Sequence, residues 1–231
     1  MGALRVEALV QARTSSRRLP GKVLRPLGGR PLVFRVVDRA RAAAGLDGVA
    51  VVTSTDSSDD ALAAACAREG VPLERGDLDH VARQLAEAAV RRGLDAFVRV
   101  NGDSPFLDPL LIGEAVRVFR AGAWDVVTNV FPRSFPPGQS VEVVRTAALE
   151  KAVGQMTDPA DAEHVTRFFY GHPREFRLWN LTCPDPAPGV SLCVDSPDDW
   201  PRAEWIAARL EANGGWREAV ALARSWKAAV A

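Results

Sequence analysis

The rhythm of apolar and polar positions changes many times along this chain, and each change marks an element. Residues 5–10 form a short apolar run that predicts a strand. Within 31–43, Leu32, Val33 or Phe34, Val36, Val37 and Ala40 recur at helical spacing behind Pro31. The β-branched stretch 49–52 predicts a second strand, 58–69 a helix stopped by Gly70, and 71–73 a short strand. Residues 79–92 predict a helix capped by Asp79 and stopped by Gly93. A strand at 96–100, a helix at 109–120 and a strand at 124–128 follow. This alternation predicts an α/β fold with a largely parallel sheet covered by helices on both faces.

After residue 128 the regularity breaks. The Pro- and Gly-rich stretch 131–138 must be a loop. A strand at 141–144, helices at 146–153 and 158–170, strands at 176–181 and 190–194, and helices at 197–210 and 216–229 complete the pattern. Segment 130–190 carries Phe131, Phe135, Phe168, Phe169, Tyr170, Phe176 and Trp179. That density outside the alternating pattern predicts an inserted portion, apart from the main sheet, that builds a homodimer. No repeat or linker divides the chain, so 1–231 is expected to be one domain.

Composition narrows the function. Of 231 residues, 47% are hydrophobic, enough to fill a core. Lys plus Arg and Asp plus Glu are each 29. That balance gives no reason to expect nucleic acid or an anionic membrane as partner. No apolar run approaches the roughly 20 residues of a membrane span. Residues 1–11 carry only Arg5 as a positive charge and read as a first strand rather than a signal peptide. Cys66, Cys183 and Cys193 lack metal-ligand spacing and read as reduced thiols in a cytoplasmic protein.

Candidate chemistry begins at the end of the first strand. Gln11-Ala12-Arg13-Thr14-Ser15-Ser16-Arg17-Arg18-Leu19-Pro20-Gly21-Lys22 sets four basic side chains, hydroxyls and a glycine where ligands of open α/β sheets bind. Arg forks, a Lys point charge and backbone N–H groups suit a triphosphate. Neither the Walker pattern nor the dinucleotide glycine pattern is present. On chemistry alone an ordinary solvated arginine-rich loop remains an equal reading.

The motif Gln-Ala-Arg-x-x-Ser-x-Arg-Leu-Pro-Gly-Lys resembles the signature loop of the CMP-sugar synthetases, the acylneuraminate and 3-deoxy-manno-octulosonate cytidylyltransferases, and in particular their spore-coat polysaccharide biosynthesis type. Thr53-Ser54-Thr55, Asn101-Gly102-Asp103-Ser104-Pro105, Val141-Glu142-Val143, Glu163-His164-Val165-Thr166 and Val194-Asp195-Ser196-Pro197-Asp198-Asp199 continue the resemblance in order. It implies a three-layer, Rossmann-like fold of the nucleotide-diphospho-sugar transferase (GT-A) type, with a mixed, mostly parallel sheet. It implies that CMP passes from CTP to a sugar or sugar-acid hydroxyl with release of pyrophosphate. Gln11, Ala12, Arg13, Ser16, Arg18, Lys22, Asn101, Gly102 and Asp103 would hold the nucleotide, with Arg13 and Lys22 on the phosphates. Glu142, His164 and Thr166 would lie on the sugar side, and the family is typically dimeric.

Two aspartates stand out beside that resemblance. Asp108 already caps the helix at 109–120, with Pro109 at its first position, which leaves Asp103 without a capping task. Ser196 can cap the helix that follows it, so Asp195 is likewise surplus, although turn aspartates are common. In the resembled family the matching aspartates hold the catalytic Mg²⁺, which takes one or two carboxylates and completes its shell with phosphates and water. Asp77-Leu78-Asp79 is a short D-x-D motif and supports an alternative, a glycosyltransferase of similar architecture using a nucleoside-diphosphate sugar. Ser140 stands where the family often has Asp, which leaves the acceptor sugar open. His80 and His172 have no partner at metal-ligand spacing.

Overall fold

A computed structural model describes residues 4–229. Its strands are β1 (Val6–Gln11), β2 (Pro26–Leu27), β3 (Arg30–Pro31), β4 (Gly48–Ser54), β5 (Leu73–Gly76), β6 (Ala96–Asn101), β7 (Val126–Thr128), β8 (Glu142–Arg145) and β9 (Leu178–Asn180). Its helices are α1 (Leu32–Arg41), α2 (Asp60–Arg68), α3 (Val81–Arg91), α4 (Pro109–Ala121), α5 (Thr146–Val153), α6 (Pro159–Glu163), α7 (Arg167–Gly171), α8 (Asp199–Ala207) and α9 (Trp216–Ala229). The main sheet has the order β5-β4-β1-β6-β8-β7-β9, and β2 and β3 form a separate small hairpin.

β5, β4, β1 and β6 run parallel, β8 runs antiparallel to both β6 and β7, and β9 is parallel to β7. The sheet is therefore mixed and mostly parallel, as the β-α alternation and the family resemblance imply. Alternation along each strand divides the core in two. Val6, Ala8 and Val10 of β1 pack on the face that holds α1, α4, α8 and α9. Leu9 points the other way, onto the layer of α3, α5 and α7. Period-2 strands buried on both faces are what the near-continuous apolar runs encode.

Four sequence expectations change. α3 is capped by His80, whose Nδ1 accepts the backbone N–H of Arg83; Asp79 instead donates its N–H to the Asp77 side chain in a local turn. The expected helix over 158–170 splits into α6 and α7, because Thr166 turns its hydroxyl inward onto Glu142 and Val165 is buried at the break. The expected strand at 190–194 forms no ladder: Leu192 donates to Pro137 and Val194 to Asp103, two different segments. Asp199, rather than Ser196, closes the turn before α8, accepting from the N–H groups of Asp195 and Ser196.

Segment 130–190 does not lie apart from the main sheet. It supplies β8, between β6 and β7, and the edge strand β9. Phe135, Phe168, Phe169 and Phe176 are buried in the two cores, while Phe131 and Trp179 remain 45% and 44% exposed. Most of the aromatic density is thus core material. The loop from 131 to 138 is present as expected, with a cis bond between Phe131 and Pro132.

Candidate active site

The carboxyl ends of β1, β4 and β6 open on a cavity of about 330 Å³. Every residue assigned to the nucleotide from sequence borders it: Gln11, Ala12, Arg13, Ser16, Arg18, Lys22, Asn101, Gly102 and Asp103, together with Asp195. Parallel strands bring these segments together, since Gln11 lies beside Val52 on one side and Asn101 on the other. Gly102 allows the closest approach. A Cβ there would stand 2.8 Å from both Ala12 Cβ and the Gln11 carbonyl, to which the Gly102 N–H donates.

The basic loop is tied down by a residue that sequence reading missed. Asp59 is fully buried and accepts hydrogen bonds from the N–H and hydroxyl of Thr14 and from the N–H and hydroxyl of Ser54. Burial pushes its carboxyl up, but the hydrogen bonds from Ser54 and Thr14 outweigh that and leave it below the usual carboxylate range. Only its position in a Ser-Ser-Asp-Asp run after a strand hints at this task. The loop then closes on itself: Gly21 donates to the Thr14 carbonyl, and Leu19 donates to Ser16 Oγ at 3.4 Å. Arg13 lies 3.6 Å from Glu163 and Arg18 lies 3.2 Å from Asp195, both largely solvated.

Asp103 and Asp195 converge on one cation. Lys22, only 7% exposed, places Nζ 3.3 Å from Asp103 Oδ2, 3.1 Å from Asp195 Oδ1 and 2.7 Å from the Val194 carbonyl. Its three N–H donors are all engaged. Burial and the charge of Asp195 push the Asp103 carboxyl above its ordinary value, against the pull of Lys22. Neither carboxylate caps a helix, so both are free for a cation. The donor chemistry fits Mg²⁺: two hard carboxylates within reach of a single positive centre, beside a basic loop able to bring phosphates. Among the described residues no cluster of three or more His, Cys, Asp or Glu could hold a metal by protein ligands alone.

A second cavity of about 300 Å³ adjoins the first and shares Asn101 with it. Glu142, His164 and Thr166 all line it. Glu142 is 3% exposed and accepts from Thr166 and Tyr170 through Oε1 and from Arg99 through Oε2. Burial raises its carboxyl, but Arg99, Thr166 and Tyr170 together bring it below the ordinary value. Those polar atoms face one another, whereas His164 is exposed at the rim. Arg133 donates to Ser140 Oγ at 3.0 Å, so the residue replacing the family's Asp touches a guanidinium of this cavity.

The remaining candidates lie elsewhere. Asp77 and Asp79 border neither cavity, although Leu78 between them lines the first. His172 binds the Phe168 carbonyl through Nδ1 and stacks on the Phe168 ring. Cys66, Cys183 and Cys193 are free thiols; burial pushes Cys66 up to about 11 and, with the nearby aspartates, Cys193 up to about 12.

Comparison with known proteins adds to this geometry. A family model described as cytidylyltransferase matches residues 8–190. The spore coat polysaccharide biosynthesis protein SpsF of Bacillus subtilis is 32% identical over 201 residues, covering 83% of this chain and 82% of that protein. A cytidylyltransferase structure from Leptospira borgpetersenii superposes with a TM-score of 0.91 at 23% identity, covering 97% of this chain and 96% of that one. A CMP:2-keto-3-deoxy-manno-octonic acid synthetase complexed with CTP superposes with a TM-score of 0.69 at 18% identity, over 89% and 99% of the two chains. At those identities the two structures establish the fold.

Proposed function

The chain belongs to the cytidylyltransferase family and is a CTP-dependent enzyme of CMP-sugar biosynthesis, and on that premise we propose that it transfers CMP from CTP to a hydroxyl of a sugar or sugar acid, releasing pyrophosphate. The observation that carries this reading is the convergence of Asp103 and Asp195 on one cation at the mouth of a basic loop. The first cavity takes CTP and the second takes the acceptor, with Asn101 common to both.

Transfer of this kind needs positioning and charge neutralisation more than covalent help. Arg13, Arg17 and Arg18 line the nucleotide cavity and would hold the triphosphate, the guanidinium forks matching phosphate oxygens. Arg13 must leave Glu163, and Arg18 must leave Asp195, to do so; both pairs are exposed and therefore weak. Asp103 and Asp195 would hold Mg²⁺, and Lys22, whose ammonium lies between them, is the loop cation nearest to that site. When bound there, Mg²⁺ supplies Lewis acidity at the α-phosphate and lowers the pKa of a coordinated hydroxyl. Electrostatic contacts of this type contribute on the order of 3 kcal/mol each to the transition state.

The homodimer belongs to the same proposal, with exposed Phe131 and Trp179 of segment 130–190 as its contact residues. Among the described residues no helix is long and apolar enough to cross a membrane, and the free cysteines agree with work in the cytoplasm. The test is a panel of sugar acids and sugar phosphates offered with CTP and Mg²⁺, read by pyrophosphate release. Release with at least one acceptor is expected; consumption of a nucleoside-diphosphate sugar with no release from CTP would overturn the proposal.

A further inference from the structure

The two cavities are separated by a short polar bridge. Arg99 on β6 donates from Nη1 to Glu142 Oε2 at 2.7 Å. It also donates from both Nε and Nη2 to Gln11 Oε1, each at 3.2 Å. Glu142 is itself immobilised by Thr166 and Tyr170, each at 2.6 Å. Register explains the bridge: Gln11 pairs with Asn101, two residues beyond Arg99 on β6, and Arg99 pairs with Glu142 on β8. All three side chains project on the same face, where alternate residues meet across neighbouring strands.

This arrangement removes the usual ambiguity of an amide. A guanidinium only donates, so the Gln11 atom facing Arg99 must be its carbonyl oxygen. The NH₂ end of Gln11 is then turned away from Arg99, and it makes no hydrogen bond to the described residues. Gln11 borders the first cavity and not the second, while Arg99 borders the second and not the first. The free donor therefore faces the nucleotide side of the wall.

We propose that Arg99 is a positioning residue: braced by buried Glu142, it fixes the carbonyl end of the Gln11 amide and so aims the Gln11 NH₂ group at an acceptor oxygen of the nucleotide. This rests on the first cavity being the CTP site. An amide left free could turn either its donor or its acceptor toward the ligand, and an acceptor facing an anionic nucleotide repels it. The bridge selects the donor. It also makes the back wall of the acceptor cavity responsible for part of the affinity for CTP, although Glu142 and Arg99 reach the nucleotide only through Gln11.

The test is CTP binding in Mg²⁺ by isothermal titration calorimetry, with melting temperature recorded alongside. Gln11→Met removes the donor without changing charge; the double variant R99M/E142Q removes the brace, also without changing net charge. Gln11→Met is expected to weaken CTP about tenfold, and the double variant at least about threefold, with both proteins remaining folded. Should the double variant fail to fold, Arg99→Lys keeps a charge on Glu142 but loses the fork onto Gln11, and the same weakening is expected. Repeating the titrations with cytidine identifies the oxygen: a loss shared by cytidine assigns ribose or base, and a loss confined to CTP assigns phosphate. Wild-type CTP affinity in Gln11→Met, or in the brace variants, would overturn the proposal. Absence of CTP binding in the wild type would overturn the nucleotide reading of the cavity itself, and this inference with it.

Discussion

Lys22 and Asp195, 173 positions apart in the chain, meet at 3.1 Å, with Asp103 reaching the same ammonium from a third segment. The lysine closes the basic loop onto both carboxylates before any substrate arrives. A half-buried acidic pair keeps both charges most readily while a cation sits between its members.

Replacing Asp103 or Asp195 with Asn is therefore expected to abolish pyrophosphate release, with a loss of at least about a hundredfold in kcat. Melting temperature should move by only a few degrees, because neither side chain caps a helix. Near-normal turnover at saturating Mg²⁺ in either variant would remove these residues from the metal site.

Lys22→Met makes a complementary prediction. Without the ammonium, Asp103 and Asp195 repel each other across a half-buried space. The variant should melt well below the wild type in chelator and recover disproportionately when Mg²⁺ is added, since a ligand bound only by the folded state stabilises it. Equal Mg²⁺ shifts in the two proteins would argue against a shared cation position.

Asp59 should show its role as a pH dependence. Its folded carboxyl lies below the ordinary value, so its contribution is fully present above the unfolded pKa and is lost as pH falls through the folded one. Asp59→Asn is expected to cost about 1–3 kcal/mol at pH 7, a difference that shrinks below about pH 4. CTP affinity should fall as well, because Thr14 loses its anchor. A stability gap independent of pH would mean that the carboxylate charge is not what holds the loop.

Light scattering at micromolar concentration should give a mass near twice the 24.9 kDa of one chain. Trp179→Glu, which places a charge on the exposed edge strand β9, should shift that mass to the monomer. A single-chain mass for the wild type would remove the dimer.

Much of this was legible from residue order. The alternating periods located β1, β4, β6 and the helices between them, and Asp103 and Asp195 stood out because Asp108 and the turn before α8 left them without a capping task. What escaped was whatever depended on a distant partner. Thr166 looks like the middle of a helix until Glu142 draws its hydroxyl inward. Residues 190–194 look like a strand, but their N–H groups answer to Pro137 and Asp103 rather than to a ladder. Asp59 carries only a faint local signature of its task and Arg99 none, because Asp59 anchors Thr14, 45 positions away, and Arg99 orients Gln11, 88 positions away.

The direction of β8 has a consequence for diversification. Because β8 runs against β6, its beginning, at Glu142, lies beside the carboxyl end of β6. Val130, Arg133 and Ser140 of the connection leading into it line the second cavity and none of its residues lines the first, whereas the loop after β1 borders the first. With the second cavity as the proposed acceptor site, part of the acceptor preference is written in this connection, apart from the loop after β1. Exchange of Val130, Arg133 and Ser140 between relatives should change which sugar is taken while leaving the use of CTP as it was, because those positions face the second cavity and the buried Phe135, Gln139 and Val141 between and beside them hold the connection in place.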